Sequence, residues 1–230
     1  MKLVLFDIDG TLLLSDGAGR RAIHRALIDV FGSTGPEDHH FDGKTDPQIV
    51  RELMRHAGHG DGHIDAQMDR LIALYLEYLG GELSRPDKRA YALPGVPALL
   101  DALDDRDDVI LGLLTGNVEQ GARAKLAAVG IDFDRFRVGA FGSDHEHRPE
   151  LPAIARARAK GELGVDVSGS AIVVIGDTPA DLTCGRSLGA AAIGVATGRY
   201  SVAQLLEHDP LAAFENLSDT AAVIAAILDG

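Results

Sequence analysis

Near the start of the chain, Asp7-Ile8-Asp9-Gly10-Thr11 places two carboxylates on alternate positions just after an apolar run, Leu3 to Phe6. In extended backbone, alternate side chains share a side, so Asp7 and Asp9 face one space while Gly10 lets the chain turn sharply. An isolated pair of this kind reads equally well as an acidic turn. A second acidic set, Gly176-Asp177-Thr178-Pro179-Ala180-Asp181, follows the apolar run Ile172 to Ile175. Asp177 and Asp181, four apart at a helix start, face one side of its first turn. If both loops meet at one edge, four carboxylates converge, and their repulsion is costly without a cation. A hard divalent ion with oxygen ligands, Mg2+, suits such a donor set.

Groups able to hold an anion accompany the carboxylates. Thr115-Gly116-Asn117 closes a third apolar run and opens a helix, where backbone N–H groups and the helix dipole favour phosphate. The same residues also serve as an ordinary strand-to-helix turn with an N-cap. Arg148, followed by Pro149, supplies positive charge. Lys125 and Lys160 fall within predicted helices and read as surface residues.

These loops need a frame. Leu3–Phe6, Val109–Leu114, Ala171–Ile175 and Ala191–Val195 read as buried parallel strands, with segments of helical period between most of them. Val96, Leu99, Leu100 and Leu103 form one apolar stripe, and Ala122, Leu126 and Val129 another. The pattern predicts an α/β fold, a parallel sheet covered by helices on both faces, whose ligands bind beyond the carboxyl ends of the strands.

Between the first strand and Pro86 the texture is helical, with stripes at Ile23–Phe31, Ile49–Ala57 and Met68–Leu79, and Thr45 to Gln48 has capping-box spacing. The expected organisation is therefore a core of residues 1–14 and 86–230 with an inserted α-helical cap of residues 15–85.

Taken together, DxDGT, a strand-ending Thr, a cation and GDxxxD resemble, in order and spacing, the haloacid dehalogenase (HAD) superfamily. The resemblance covers the core, and its nearest branch is the phosphoglycolate phosphatase-like one with a helical cap. It departs from the family where Arg148 stands in place of the more usual Lys; Arg keeps the charge and adds bidentate contacts to phosphate oxygens.

The resemblance implies a Rossmann-like doubly wound core and hydrolysis of a small phosphomonoester. Asp7 would be the nucleophile, forming an aspartyl-phosphate, and Asp9 the acid and base. Asp7, Asp9 through its carbonyl, Asp177 and Asp181 would serve the Mg2+ ion. Ile8, Asp9, Gly10, Thr115, Gly116, Asn117 and Arg148 would surround the phosphate, with Thr115 and Arg148 aiding catalysis. A HAD phosphomutase or phosphonatase shares the same core. A 2-haloacid dehalogenase needs no proton donor or metal, which Asp9 argues against, and a silent binding module would not require all four aspartates.

An inserted cap should admit small phosphorylated metabolites and exclude protein surfaces. Lys44, in the loop Phe41–Asp46, is the cap's candidate for touching the leaving group; a solvated lysine before an N-cap is the alternative. His56, His59 and His63 lie among Gly58, Gly60, Asp61 and Gly62, which break the helix, so they read as an exposed loop rather than a metal site.

Composition narrows the partners. The chain has 230 residues, 46% hydrophobic and 25% charged, and a net charge of -13 that makes nucleic acid an unsuitable partner. No apolar run is long enough to span a bilayer or form a signal segment. With a single cysteine, Cys184, the expectation is a cytoplasmic protein, monomer or homodimer.

Overall fold

The computed structural model describes residues 1–87 and 89–229. From β1 (Lys2–Phe6) the chain passes through a two-residue strand, β2 (Leu13–Leu14), into helices α1 (Ala18–Phe31), α2 (Asp46–His56) and α3 (Asp61–Leu83). It returns through β3 (Tyr91–Ala92), which pairs antiparallel with β2. There follow α4 (Val96–Asp104), β4 (Val109–Thr115), α5 (Glu119–Ala128), β5 (Val138–Phe141), α6 (Leu151–Leu163) and β6 (Ile172–Gly176). The chain ends with α7 (Pro179–Cys184), β7 (Ala191–Val195), α8 (Val202–Leu206), β8 (Ala212–Phe214) and α9 (Thr220–Asp229).

Six strands form one parallel sheet in the order β5-β4-β1-β6-β7-β8. β1 is apolar after Lys2 because it is buried on both faces. Val4 and Phe6 enter the layer with Leu99 and Leu100 of α4 and Ile227 of α9, while Leu3 and Leu5 enter the layer with Leu151 and Ala155 of α6. That two-sided burial is what a central parallel strand requires. The chain moves outward from β1 to β4 and β5, then crosses to β6 on the other side. This reversal opens a crevice at the carboxyl ends of β4, β1 and β6.

The three helices after β2 enclose a core of their own around Ile23, Leu27, Leu53, Met54, Leu71 and Tyr75. Thr45 caps α2, its hydroxyl accepting from Gln48 N at 3.2 Å, and Pro47 lies in the first turn. Asp46 begins that helix and Arg55 and His56 end it, charges placed to complement the helix dipole.

Some elements differ from expectation. Asp61 and Gly62 do not break a helix; they form the first turn of α3, since Gly60 in extended backbone precedes it. β2, β3, β5 and β8 carry too few residues for a periodic signal and arise from pairing with neighbours already in place.

Candidate active site

The carboxylates at the ends of β1 and β6 meet. Ligand oxygens of Asp7, Asp177 and Asp181 lie within 4.8 Å of one another, and all three residues are buried. Gly10 makes this possible: its φ is +82°, and a Cβ there would come within 2.4 Å of Asp177 Oδ2. Its N–H donates to Leu13 O at 2.9 Å, which closes the turn. Thr11 Oγ1 lies 3.4 Å from Asp177 Oδ1.

Arg148 enters the cluster from the short helix before α6. One of its nitrogens, Nη2, donates to Asp7 Oδ1 at 3.0 Å, to Leu114 O at 3.2 Å and to Asp181 Oδ1. The other oxygen of Asp181 accepts from Thr178 N at 3.0 Å and Thr178 Oγ1 at 2.7 Å, a capping box at the start of α7. Asp181 is thereby fixed at the rear of the cluster, holding the guanidinium.

The electrostatics are those of a site short of positive charge. Burial pushes Asp7 up to about 6; Arg148 pulls it down, and Asp181 and Asp9 push it further up. Burial, then Asp181 and Asp7, raise Asp177 well above the usual carboxylate range. Burial opposes the Arg148 charge, but Asp181 and Asp7 more than offset that, and the guanidinium stays charged. Three buried carboxylates with one guanidinium leave an excess of hard oxygen donors, and a small divalent cation fits that set.

Thr115 ends β4, wholly buried. Its hydroxyl accepts from Asn117 Nδ2 at 2.8 Å, and the same amide nitrogen donates to Asp9 Oδ2 at 2.8 Å. Asp9 thus joins a second group of residues, beside the Asp7 cluster rather than within it. Both aspartates line one cavity of about 800 Å3 between sheet and cap, together with Thr115, Gly116, Asn117 and Arg148.

Lys125 requires correction. It is not a surface residue: its side chain is 5% exposed, and Nζ donates to Asp9 Oδ2 and to Asn117 Oδ1, each at 2.6 Å. The physical reason is that α5 lies under the cap, so the face next to its apolar stripe never reaches solvent. Lys160 is exposed and pairs with Asp166 at 2.7 Å. Lys44 lines the cavity, with Nζ bonded to Glu52 at 2.5 Å and 3.2 Å from His39 Nε2. His59 and His63 stack on each other at 5.4 Å beside Phe31, and His56 Nδ1 lies 2.6 Å from Glu52 O.

Polar contacts close the cap on the sheet. Asp46 N donates to Gly116 O at 2.7 Å, Asp46 Oδ2 accepts from Val118 N at 2.9 Å, and Thr45 Oγ1 donates to Glu146 O at 2.7 Å. Burial pushes Asp46 up to about 6, with Lys125 working against it. The folded protein therefore binds this proton more tightly than the unfolded chain, whose value is 3.8. Stability from this group is present at low pH and lost as pH rises through about 6. Asp46→Asn keeps an acceptor for Val118 N and is expected to remove about 2 kcal/mol of the stability lost between roughly pH 4 and pH 7. Urea unfolding at both pH values checks this, and an unaltered loss contradicts it.

Known proteins resemble this chain throughout. The model of the haloacid dehalogenase-like hydrolases matches residues 1–189. A curated relative from Dickeya dadantii (strain 3937), described as "Probable phosphatase IndB", is 29% identical over 234 residues, covering 98% of this chain and 94% of that protein. Among solved structures, a hydrolase from Pseudomonas syringae superposes with a TM-score of 0.73 at 23% identity, covering 98% of each chain. A "predicted phosphoglycolate phosphatase" from Haemophilus somnus 129pt gives 0.70 at 23% identity, covering 97% of this chain and 98% of that one. The structural likenesses show a common fold, and the family match over residues 1–189 of 230 shows that the chain belongs to the haloacid dehalogenase-like hydrolases.

Proposed function

We propose that this protein is a Mg2+-dependent phosphatase of small phosphomonoesters, working through an aspartyl-phosphate on Asp7. This is the finer reading within the phosphatase or phosphomutase class that the comparisons support. One observation carries it: a buried carboxylate, held by Arg148 at 3.0 Å, stands among two more carboxylates at the wall of a cavity between sheet and cap. The relative named as a phosphatase and the structural neighbour named as a phosphoglycolate phosphatase support the choice of reaction.

An Asp7 oxygen attacks phosphorus in line with the ester oxygen; the new O–P bond forms as the P–O bond to the leaving group breaks. Asp9 gives its proton to the departing alkoxide. Water then attacks the aspartyl-phosphate, Asp9 takes a proton from it, and the Asp7 O–P bond breaks to release phosphate. Thr115, Arg148 and the amides of Ile8, Gly116 and Asn117 hold the oxygens of the transferring group. Asp7, the Asp9 carbonyl and Asp177 would hold the ion, with Asp181 behind them. When bound, the ion supplies positive charge against the repulsion between an anionic nucleophile and an anionic ester.

A cavity of about 800 Å3 beneath helices suits a metabolite rather than a protein surface. Its walls carry both apolar side chains, such as Ile23 and Ile49, and cations, such as Arg20 and Lys44. Lys44 is shared with Glu52 and could turn to a leaving group only by loosening that bond. Among the described residues, no helix is long and apolar enough to cross a membrane.

Hydrolysis of p-nitrophenyl phosphate with Mg2+, without it and with EDTA tests the proposal. Turnover that depends on the ion supports it; no turnover of this ester or of a panel of phosphorylated metabolites favours a silent binding module. An isomerised sugar phosphate in place of free phosphate would indicate a mutase. Binding has its own readout. At about one hundred times its Kd, Mg2+ is expected to raise the unfolding free energy by about 2.7 kcal/mol, and Asp177→Asn to lose most of that gain. Thermal unfolding with and without the ion measures both.

A further inference from the structure

Nothing in the nucleophile or phosphate machinery uses Lys125, yet a buried ammonium is costly unless it is paired and placed for a purpose. On α5, a leucine or methionine would fill the same position without that cost. The lysine instead donates to Asp9 Oδ2 at 2.6 Å and to Asn117 Oδ1 at 2.6 Å. Asn117 returns its own N–H to the same Asp9 oxygen at 2.8 Å, and anchors on Thr115. Both donors thus take Oδ2. Among the described residues Oδ1 accepts no hydrogen bond, and the Asp9 side chain is 40% exposed where it lines the cavity.

Residues of all three cap helices gather around this lysine. Gly19 of α1 comes so near that a Cβ there would lie 3.3 Å from Nζ and 3.8 Å from the Tyr75 hydroxyl of α3. Asp46 of α2 senses the Lys125 charge and stands near the Tyr75 hydroxyl. The cap therefore seats on the same ammonium that grips Asp9.

The geometry points to Lys125 as a positioning residue: it holds Asp9 by Oδ2 so that Oδ1 faces the leaving-group oxygen, and the seated cap keeps it there. The inference rests on Asp9 being the proton donor to the leaving group. It adds a residue outside the phosphate-binding loops, and it assigns the cap a part in aiming the acid as well as in enclosing the substrate.

Leaving-group dependence tests it. Phenyl phosphate and p-nitrophenyl phosphate have nearly the same shape, but phenolate, with a conjugate acid near the tyrosine value of about 10, needs a proton far more than nitrophenolate does. Lys125→Met is expected to lower kcat/KM about 10-fold or more on phenyl phosphate and about 3-fold or less on p-nitrophenyl phosphate, the difference being lost acid catalysis. In an Asp9→Asn background, Lys125→Met should cost little further on phenyl phosphate. Equal losses on the two esters, no loss on either, or full additivity with Asp9→Asn overturns the inference while leaving the phosphatase reading intact. Wild-type protein that turns over neither ester, nor any of a panel of phosphorylated metabolites, with Mg2+ overturns the phosphatase reading, and the inference with it. Should Lys125→Met fail to fold, the same ratio measured on Lys125→Gln decides.

Discussion

Asp7→Asn is expected to leave a folded protein whose turnover of p-nitrophenyl phosphate is lower by about 10^4-fold or more, as for other enzymes that lose a nucleophile. The amide has nearly the shape of the carboxyl but no anionic oxygen to attack phosphorus. Folding should not suffer, because Asp7 at neutral pH is a buried carboxylate pushed up to about 6, chiefly by burial. The sign follows from linkage: a carboxyl whose folded value exceeds its unfolded value of 3.8 opposes folding once pH rises through about 6. The metal-free variant should therefore unfold at no lower temperature than the wild type at neutral pH. Arg148 keeps Asp181 and Leu114 O as partners. Steady-state kinetics beside thermal unfolding separates the two effects, and near-normal turnover from a folded variant contradicts the assignment.

Arg148→Met should have the largest effect on stability, a loss of about 3–5 kcal/mol in the absence of Mg2+, because it leaves buried carboxylates without their cation. Asp7, Asp177 and Asp181 would then face one another with no guanidinium among them. The loss should shrink as pH falls toward about 6, because Arg148 lowers Asp7, and without it the carboxyl takes up its proton at higher pH than in the wild type, which weakens the repulsion. Mg2+ should restore part of it at neutral pH. Turnover should fall as well, by about 10^2-fold or more, since a preorganised donor to the transferring group is gone. Arg148→Lys keeps the charge, but its ammonium ends one atom short of the position of Nη2, the nitrogen that bonds Asp7, Leu114 O and Asp181, so an intermediate result is expected. Urea unfolding of the three proteins measures the order, and equal stability of Arg148→Met and wild type contradicts the account.

The acidic cluster was readable from sequence for a definite reason. Asp7 and Asp177 each follow an apolar run, and parallel strands in one sheet bring such run-ends to a common edge. Arg148 was readable only by its order relative to those loops, because its burial depends on tertiary contacts with Asp7 and Asp181. Lys125 read as a surface residue because a lysine beside an apolar helical stripe ordinarily extends its ammonium to water. Its spacing from Ala122, three residues, and its adjacency to Leu126 held the clue, since both are fully buried. Asp46 read as part of the polar loop Phe41–Asp46; only the seating of α2 on Gly116 and Val118 buries it. The short strands were hidden for another reason. Leu13–Leu14, Tyr91–Ala92 and Ala212–Phe214 exist through their partners, and no period can show in two or three residues.

The most direct measurement is to quench the Mg2+-loaded protein in acid during turnover of p-nitrophenyl phosphate and map the phosphoryl group by peptide mass spectrometry. The account predicts a phosphorylated peptide containing Asp7, absent from Asp7→Asn. A phosphoryl group carried on any other residue, or turnover with no phosphorylated peptide at any quench time, would contradict it.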